Sequence, residues 1–416
     1  MLKKIETLLP YLEDFSSQWE KFMNVLSNCK RFFKIFQDFK KNLHLQYFQA
    51  SLLSARIIVL YSRSNMILKL TSILLYAFIA FLLALFIYPT YIKLLKKRKA
   101  WQSIREADVT GNSATIYKQL HKHKWWTPSM WWWIILLIVF VMVLWSLLVQ
   151  ELWRINNSLL TRQETYMPLF WFFSMGILGL IDDYINIKWK TLIKWLSAKI
   201  KFIWMFLFSG FISWWFYWKL GIDTINLRPF AWELYLWFFM PILTFFGTVI
   251  IVNAINIADW LDGLVGWLWL IVLGSLWVIT FITQWYLAST VITIIAATLI
   301  AFLRYNINPA KIFLWDSWAL ALWWIISTMI YLLNINFGIL IPAIILMLLF
   351  WIEFASSFLQ ITRKKLFKKK LFPIAPYHHL LEYLWQKEHT IVMRFWLIQW
   401  ILAMIALLSI LYQLFL

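Results

Sequence analysis

The chain has 416 residues, of which 62% are hydrophobic and only 14% charged, with a formal net charge of +20. Several apolar runs reach the roughly 20 residues needed to cross a bilayer, which excludes a soluble globular fold, and their length excludes a β-barrel of short alternating segments. A single cysteine, Cys29, excludes an internal disulfide framework, and in so apolar a chain the excess Lys and Arg belong to cytoplasmic loops rather than to a nucleic-acid surface.

In chain order, residues 1–65 are polar and of mixed charge, with Lys3, Lys4, Lys30, Arg31 and Lys34 among scattered aromatics and no run able to span. They are expected to be either a surface extension or an upstream misassigned start, since Met66 opens an apolar run of its own. Residues 66–416 are expected to form an all-α, polytopic membrane domain. About ten spans are predicted, near 69–92, 131–150, 167–184, 200–218, 233–252, 264–283, 286–303, 319–335, 337–360 and 391–415. Alternate loops differ in charge. Those at 93–130, 185–199, 253–263, 304–318 and 361–390 together hold about twenty Lys or Arg, against Arg154, Arg162, Lys219 and Arg228 on the other side. The positive-inside rule puts the first set in the cytoplasm. The acidic and histidine motifs lie on that same side, which predicts a site facing the cytosol.

Glycine is unusually scarce. There are 10 glycines against 31 tryptophans, where an average chain of this length holds roughly 30 glycines. Many tryptophans also sit in turn-like surroundings, as in Trp125-Trp126-Thr127-Pro128-Ser129-Met130-Trp131-Trp132-Trp133 and Asp259-Trp260-Leu261-Asp262-Gly263. The pattern is that of glycine codons read as tryptophan: UGA means glycine in some bacterial codes and tryptophan in others. Aromatic belts at membrane interfaces are the plain alternative. They account for Trp at helix ends, but not for three in a row beside a Thr-Pro turn.

Four polar clusters could carry chemistry. Asp182-Asp183 follows a strongly apolar run, where carboxylates are costly and usually functional; paired acids suit a hard cation such as Mg²⁺ or proton transfer. Against this stands a solvated, merely acidic helix end. Asn253 to Leu264 packs Asn253, Asn256, Asp259 and Asp262 into a loop lacking Lys and Arg, with Asn256 and Asp259 at helical i, i+3 spacing; amides and acids together can read a nucleobase and ribose. Asn306 to Leu320 contains Lys311, Asp316 and Ser317, and a helix-capping role for Asp316 is the plainer reading. Pro376-Tyr377-His378-His379 follows the basic run Arg363 to Lys370, which could contact pyrophosphate or anionic lipid.

These pieces together resemble the phospho-N-acetylmuramoyl-pentapeptide transferase family, within the polyprenyl-phosphate N-acetylhexosamine-1-phosphate transferases. The resemblance rests on Trp126 to Trp132 for a Gly-Thr-Pro-Thr-Met-Gly-Gly loop, Asp182-Asp183-Tyr184, Asn253 to Leu264, Trp315 to Trp324, Ala375-Pro376-Tyr377-His378-His379 and Arg394-Phe395-Trp396. Six motifs occur in family order across about 66–416. Tryptophan falls on family glycines at 101, 126, 131, 132, 195, 260, 315, 318, 323, 324 and 385. Three departures stand out: Leu380 replaces a third histidine, Asn186 replaces a lysine, and the stretch from Asp182 to Trp195 is one residue longer than in the family.

The resemblance implies a Mg²⁺-dependent transfer of phospho-N-acetylmuramoyl-peptide from its UDP donor to undecaprenyl phosphate at the cytoplasmic face of a bacterial plasma membrane, within peptidoglycan synthesis. It implies catalytic Asp182, Asp183 and Asp316, the same three acids as metal ligands, and substrate contacts from Lys122, Lys124, Thr127, Asn256, Asp259, Asp262, His378 and His379. Expected partners are the two substrates, membrane lipids and a second copy of the chain, with no nucleic acid. The alternatives are a sister enzyme moving N-acetylglucosamine-1-phosphate, a transporter, or an inactive scaffold should the tryptophans be real. A transporter should carry polar groups at mid-span rather than in the loops.

Overall fold

The computed structural model describes the backbone of residues 45–97, 133–153, 158–188, 198–228, 231–256, 261–312, 316–384 and 386–415. The chain divides into two units, Met1–Leu70 and Thr71–Leu416. In the first, the described residues are helical from Leu45. Among its described residues the second is built almost wholly of helices, as the apolar runs require: in a bilayer the backbone must satisfy its own hydrogen bonds.

The helices are α1 (Leu45–Lys97), α2 (Trp133–Trp153), α3 (Gln163–Lys188), α4 (Ala198–Trp214, prolonged by a π turn to Lys219), α5 (Phe239–Asn256), α6 (Leu264–Ile282), α7 (Tyr286–Asn306), α8 (Asp316–Phe337), α9 (Leu340–Leu346), α10 (Leu348–Phe367), α11 (Tyr377–Tyr383) and α12 (Glu388–Phe415). Among the described residues five are long and apolar enough to cross a membrane, or six if α9 and α10, bent by 67° about Met347, form one broken span. Three further apolar stretches, Thr165–Leu180, Phe239–Val249 and Ala321–Phe337, are shorter. A helix therefore lies at each of the ten expected places, and up to six meet the spanning length.

Local chemistry explains the joints. At Gly176 a Cβ would stand 2.6 Å from the Leu136 side chain, so glycine lets α2 and α3 approach closely. Gly263 takes φ 76° to turn the chain into α6. Several hydroxyls inside the helices bond to carbonyls one turn back, as Thr248 does on Thr244 O and Thr328 on Trp324 O, both at 2.6 Å. At the α9–α10 break, Gln399 of α12, fully buried, donates through Nε2 to Leu346 O at 2.7 Å.

One element was not expected. Part of the loop expected before the fifth span, with the first residues of that span, forms a hairpin, β1 (Thr224–Leu227) against antiparallel β2 (Ala231–Tyr235), pairing Thr224 with Tyr235. Thr, Ile, Trp and Tyr favour strand, and Gly221 and Pro229 bound the run, so α5 begins only at Phe239.

The hairpin fixes which ends of the helices meet. Gln413, near the end of α12, donates to Arg228 O at 2.9 Å, and the Gly338 turn after α8 abuts Asn226. The opposite end of α12, about 40 Å away along a 28-residue helix, starts at Glu388, which accepts from Asp262 N at 2.7 Å. The 261–263 and 306–312 loops therefore lie a span away from the hairpin. α5 leaves the hairpin and ends at Asn256 just before that loop; α4 runs into the hairpin, so its own start, and the end of α3, belong to the loop end too.

Candidate active site

The loop end is held by a polar knot. Asp262, buried, accepts on Oδ2 from Asn308 Nδ2 at 3.1 Å and from Ala310 N at 3.0 Å. Asn306, also buried, accepts on Oδ1 from Gly263 N at 3.1 Å and donates through Nδ2 to Ile312 O at 3.0 Å. Two loops far apart in sequence thus brace each other, and Glu388 ties in the start of α12. A buried carboxylate is tolerable here because donors converge on it.

The histidine segment folds back on α10. His378 Nδ1 lies 2.9 Å from Glu353 Oε2, with both side chains at 0% and 1% exposure. His379 Nδ1 lies 2.6 Å from Glu382 Oε2, one helical turn on, and the two imidazole centroids are 4.2 Å apart. α10 ends at Phe367 within a basic run, Lys364 to Lys370, that is exposed from Lys365 on.

Of the residues expected to act, Asp262, His378 and His379 are described with their side chains. Asp182 and Asp183 sit inside α3, which runs on to Lys188 rather than ending near 184; Asn256 is the last residue of α5, and Asp316 the first of α8. Their side chains lie outside the described ones, but the backbone sets all four positions toward the loop end. At a helix N-terminus the dipole favours a carboxylate such as Asp316. Asp259, and Lys122, Lys124 and Thr127, lie outside the described residues. So do most of the glycine-like tryptophans; Trp323 and Trp324 are described, and both are buried in α8. Among the described residues no three His, Cys, Asp or Glu side chains gather as a metal site.

Sequence reading passed over Glu353, Asn308 and Glu388. For Glu353 a signal was present: it is the lone acid in an apolar helix, where an ionisable group should have a task.

A helical membrane bundle with carboxylates, amides and histidines gathered at one end is fitted to work on a charged group at the lipid surface. The comparisons agree. The sequence profile of Glycosyl transferase family 4 matches residues 166–334, which run from α3 through α8. Phospho-N-acetylmuramoyl-pentapeptide-transferase of Petrotoga mobilis is 30% identical over 329 residues, covering 79% of this chain and 96% of the relative. The proteins of that name from Staphylococcus epidermidis and Geobacillus thermodenitrificans are 30% and 26% identical, covering 80% and 79% of this chain and 98% and 95% of the relatives. The chain is a membrane phospho-sugar transferase. It belongs to the phospho-N-acetylmuramoyl-pentapeptide-transferase family.

Proposed function

We propose that the chain transfers phospho-N-acetylmuramoyl-peptide from a UDP-linked donor to undecaprenyl phosphate, at the cytoplasmic face of a bacterial plasma membrane. The observation that carries this reading is the likeness to relatives of that name over nearly their whole length. An oxygen of the lipid phosphate attacks the phosphorus bonded to the sugar. The bond from that phosphorus to the bridging oxygen breaks, and UMP leaves with the bridging oxygen and its electron pair. The products are a lipid-linked pyrophosphoryl sugar and UMP.

In such a transfer, alignment and charge neutralisation supply most of the catalysis. Asp182 orients or deprotonates the lipid phosphate, with Asp183 supporting it. Asn256, Asp259 and Asp262 serve the uridine side, while Lys122, Lys124, Thr127, His378 and His379 contact the substrates. Asp182, Asp183 and Asp316 are hard oxygen donors whose backbone positions lie toward one end of the bundle, a donor set that fits Mg²⁺. When bound, Mg²⁺ would neutralise charge on the donor pyrophosphate.

The test uses full-length protein in vesicles containing undecaprenyl phosphate, with UMP release as the readout. Release is expected from UDP-N-acetylmuramoyl-pentapeptide, lost with chelator and restored by Mg²⁺. Release from UDP-N-acetylglucosamine alone would overturn the donor assignment.

A further inference from the structure

Three polar side chains, Glu353, Ser356 and Gln360, stand at i, i+3 and i+7 on α10, and so share one face. The chain returning from α10 bonds to each. Gln360 donates through Nε2 to Phe372 O at 2.8 Å and accepts on Oε1 from Leu371 N and Phe372 N at 2.8 and 2.9 Å. Ser356 Oγ accepts from Tyr377 N at 3.0 Å. Glu353 Oε2 meets the His378 ring at 2.9 Å and lies 3.5 Å from His378 N. This stripe holds segment 371–378 in one place and gives the buried His378 ring one orientation.

A buried ion pair is weak evidence for stability, because desolvation offsets the attraction. The Glu353–His378 pair needs another reason to exist. With Nδ1–H donated to Glu353, the ring turns Nε2 the other way, and Nε2 has no hydrogen-bond partner among the described residues. A carboxylate behind an imidazole fixes its orientation and tautomer and stabilises its cation.

We propose that Glu353 is the positioning residue of His378, accepting from Nδ1–H so that Nε2 is turned toward an anionic phosphate oxygen of the sugar donor and donates to it when the ring is doubly protonated. The inference rests on the phosphoryl-transfer reading given above. Glu353 itself touches no substrate; it acts through the ring.

Two measurements on the full-length chain in vesicles test it. The first is a double-mutant cycle in kcat for UMP release. Glu353→Ala is expected to lose on the order of a hundredfold, and the isosteric Glu353→Gln, which keeps the volume should the alanine variant fail to fold, about tenfold. His378→Asn removes Nε2 but keeps a donor toward Glu353. On that background Glu353→Gln should change kcat by less than about twofold. A merely structural carboxylate would instead give losses that multiply, and that result overturns the proposal, as does a Glu353→Gln enzyme within twofold of wild type. The second measurement is nitrogen-15 NMR of histidine-labelled protein, with His378→Asn as the assignment control. Nδ1 of His378 is expected to carry a proton, and finding it bare overturns the pair without reference to turnover. A wild-type chain that releases no UMP would strike down the reaction reading, leaving the NMR result to decide the pair.

Discussion

At the loop end of the bundle, Asp262 Oδ2 and both polar atoms of the Asn306 and Gln360 side chains are met by specific donors or acceptors. In the helix interior the indole N–H groups of Trp171, Trp323 and Trp324, all buried, meet none among the described residues. There Trp171 stacks on Trp324 at 5.6 Å between ring centroids, and Trp269 meets Trp323 edge-on at 4.8 Å. Among the described residues, unmet atoms occur at the loop end too, on Glu353 Oε1 and His378 Nε2, and these belong to the pair proposed above to serve the sugar donor. No such role is proposed for an indole at mid-span. Each unmet buried donor costs about 1–3 kcal/mol; in the same helix the Thr328 hydroxyl finds Trp324 O, while Ser327 Oγ meets no partner among the described residues.

The contrast bears on the glycine question. α3 and α8 pack along one another, and close helix pairs in membranes favour small residues at the contact. Trp323 and Trp324 stand in α8 at positions where the family resemblance places glycine. Glycine there would remove two unmet donors and let the helices close.

The largest effects are expected at the loop end. In a glycine-restored enzyme, Asp182→Asn, Asp183→Asn and Asp316→Asn should each cut UMP release by on the order of 10²–10³-fold, with the thermal midpoint unchanged. Asp316 opens α8 and Asp182 and Asp183 stand within the last two turns of α3, and the exchange of a carboxylate for an amide removes charge at nearly constant volume. Near wild-type turnover in all three would remove the proposed site from this end of the bundle.

The next test concerns the interior, and its sign decides the matter. Real tryptophans at 323 and 324 would be part of an evolved core, and Trp→Gly at either would open a cavity costing roughly 3–5 kcal/mol. Misread glycines predict the reverse: Trp323→Gly with Trp324→Gly should raise the thermal midpoint and the yield of monodisperse protein. Peptide mass spectrometry of the native protein across 124–134 is the companion measurement. It should find glycine at 126, 131 and 132, and tryptophan there would end the idea.

What the sequence disclosed follows from the range of the interactions. Apolar runs are local, so a helix was legible at each of the ten places, and the acids and amides stood out because carboxylates in apolar surroundings are rare. Partnerships across the fold were not legible. Nothing local joins Asp262 to Asn308 and Ala310, or Glu353 to His378, and the cluster reading of Asn306 to Leu320 gave no sign that its first residues would brace Asp262. The hairpin was missed because β1 lies in what read as a loop between spans, and the aromatic and apolar residues of β2 read equally well as the start of the fifth span. The break at Met347 was missed because Leu340 to Phe350 is continuously apolar, with no glycine and with Pro342 upstream of the bend.

That break supplies the smallest expected effect. The 67° bend between α9 and α10 sets the direction of the helix that carries Glu353, Ser356 and Gln360. A bend takes backbone carbonyls away from their partners one turn on, and a bilayer offers no water in exchange. Gln399 supplies the missing donor to Leu346 O. Gln399→Leu keeps the bulk and removes that donor. Hydrogen bonds between membrane helices average about 0.6 kcal/mol and reach about 1.7, so the thermal midpoint should fall by only a few degrees. Activity should fall more than stability, because a small change in the bend is carried along α10 to the histidine segment. A Gln399→Leu enzyme with full turnover and a lowered midpoint would show the glutamine to be a stabilising clasp alone, with the bend held by packing against α12.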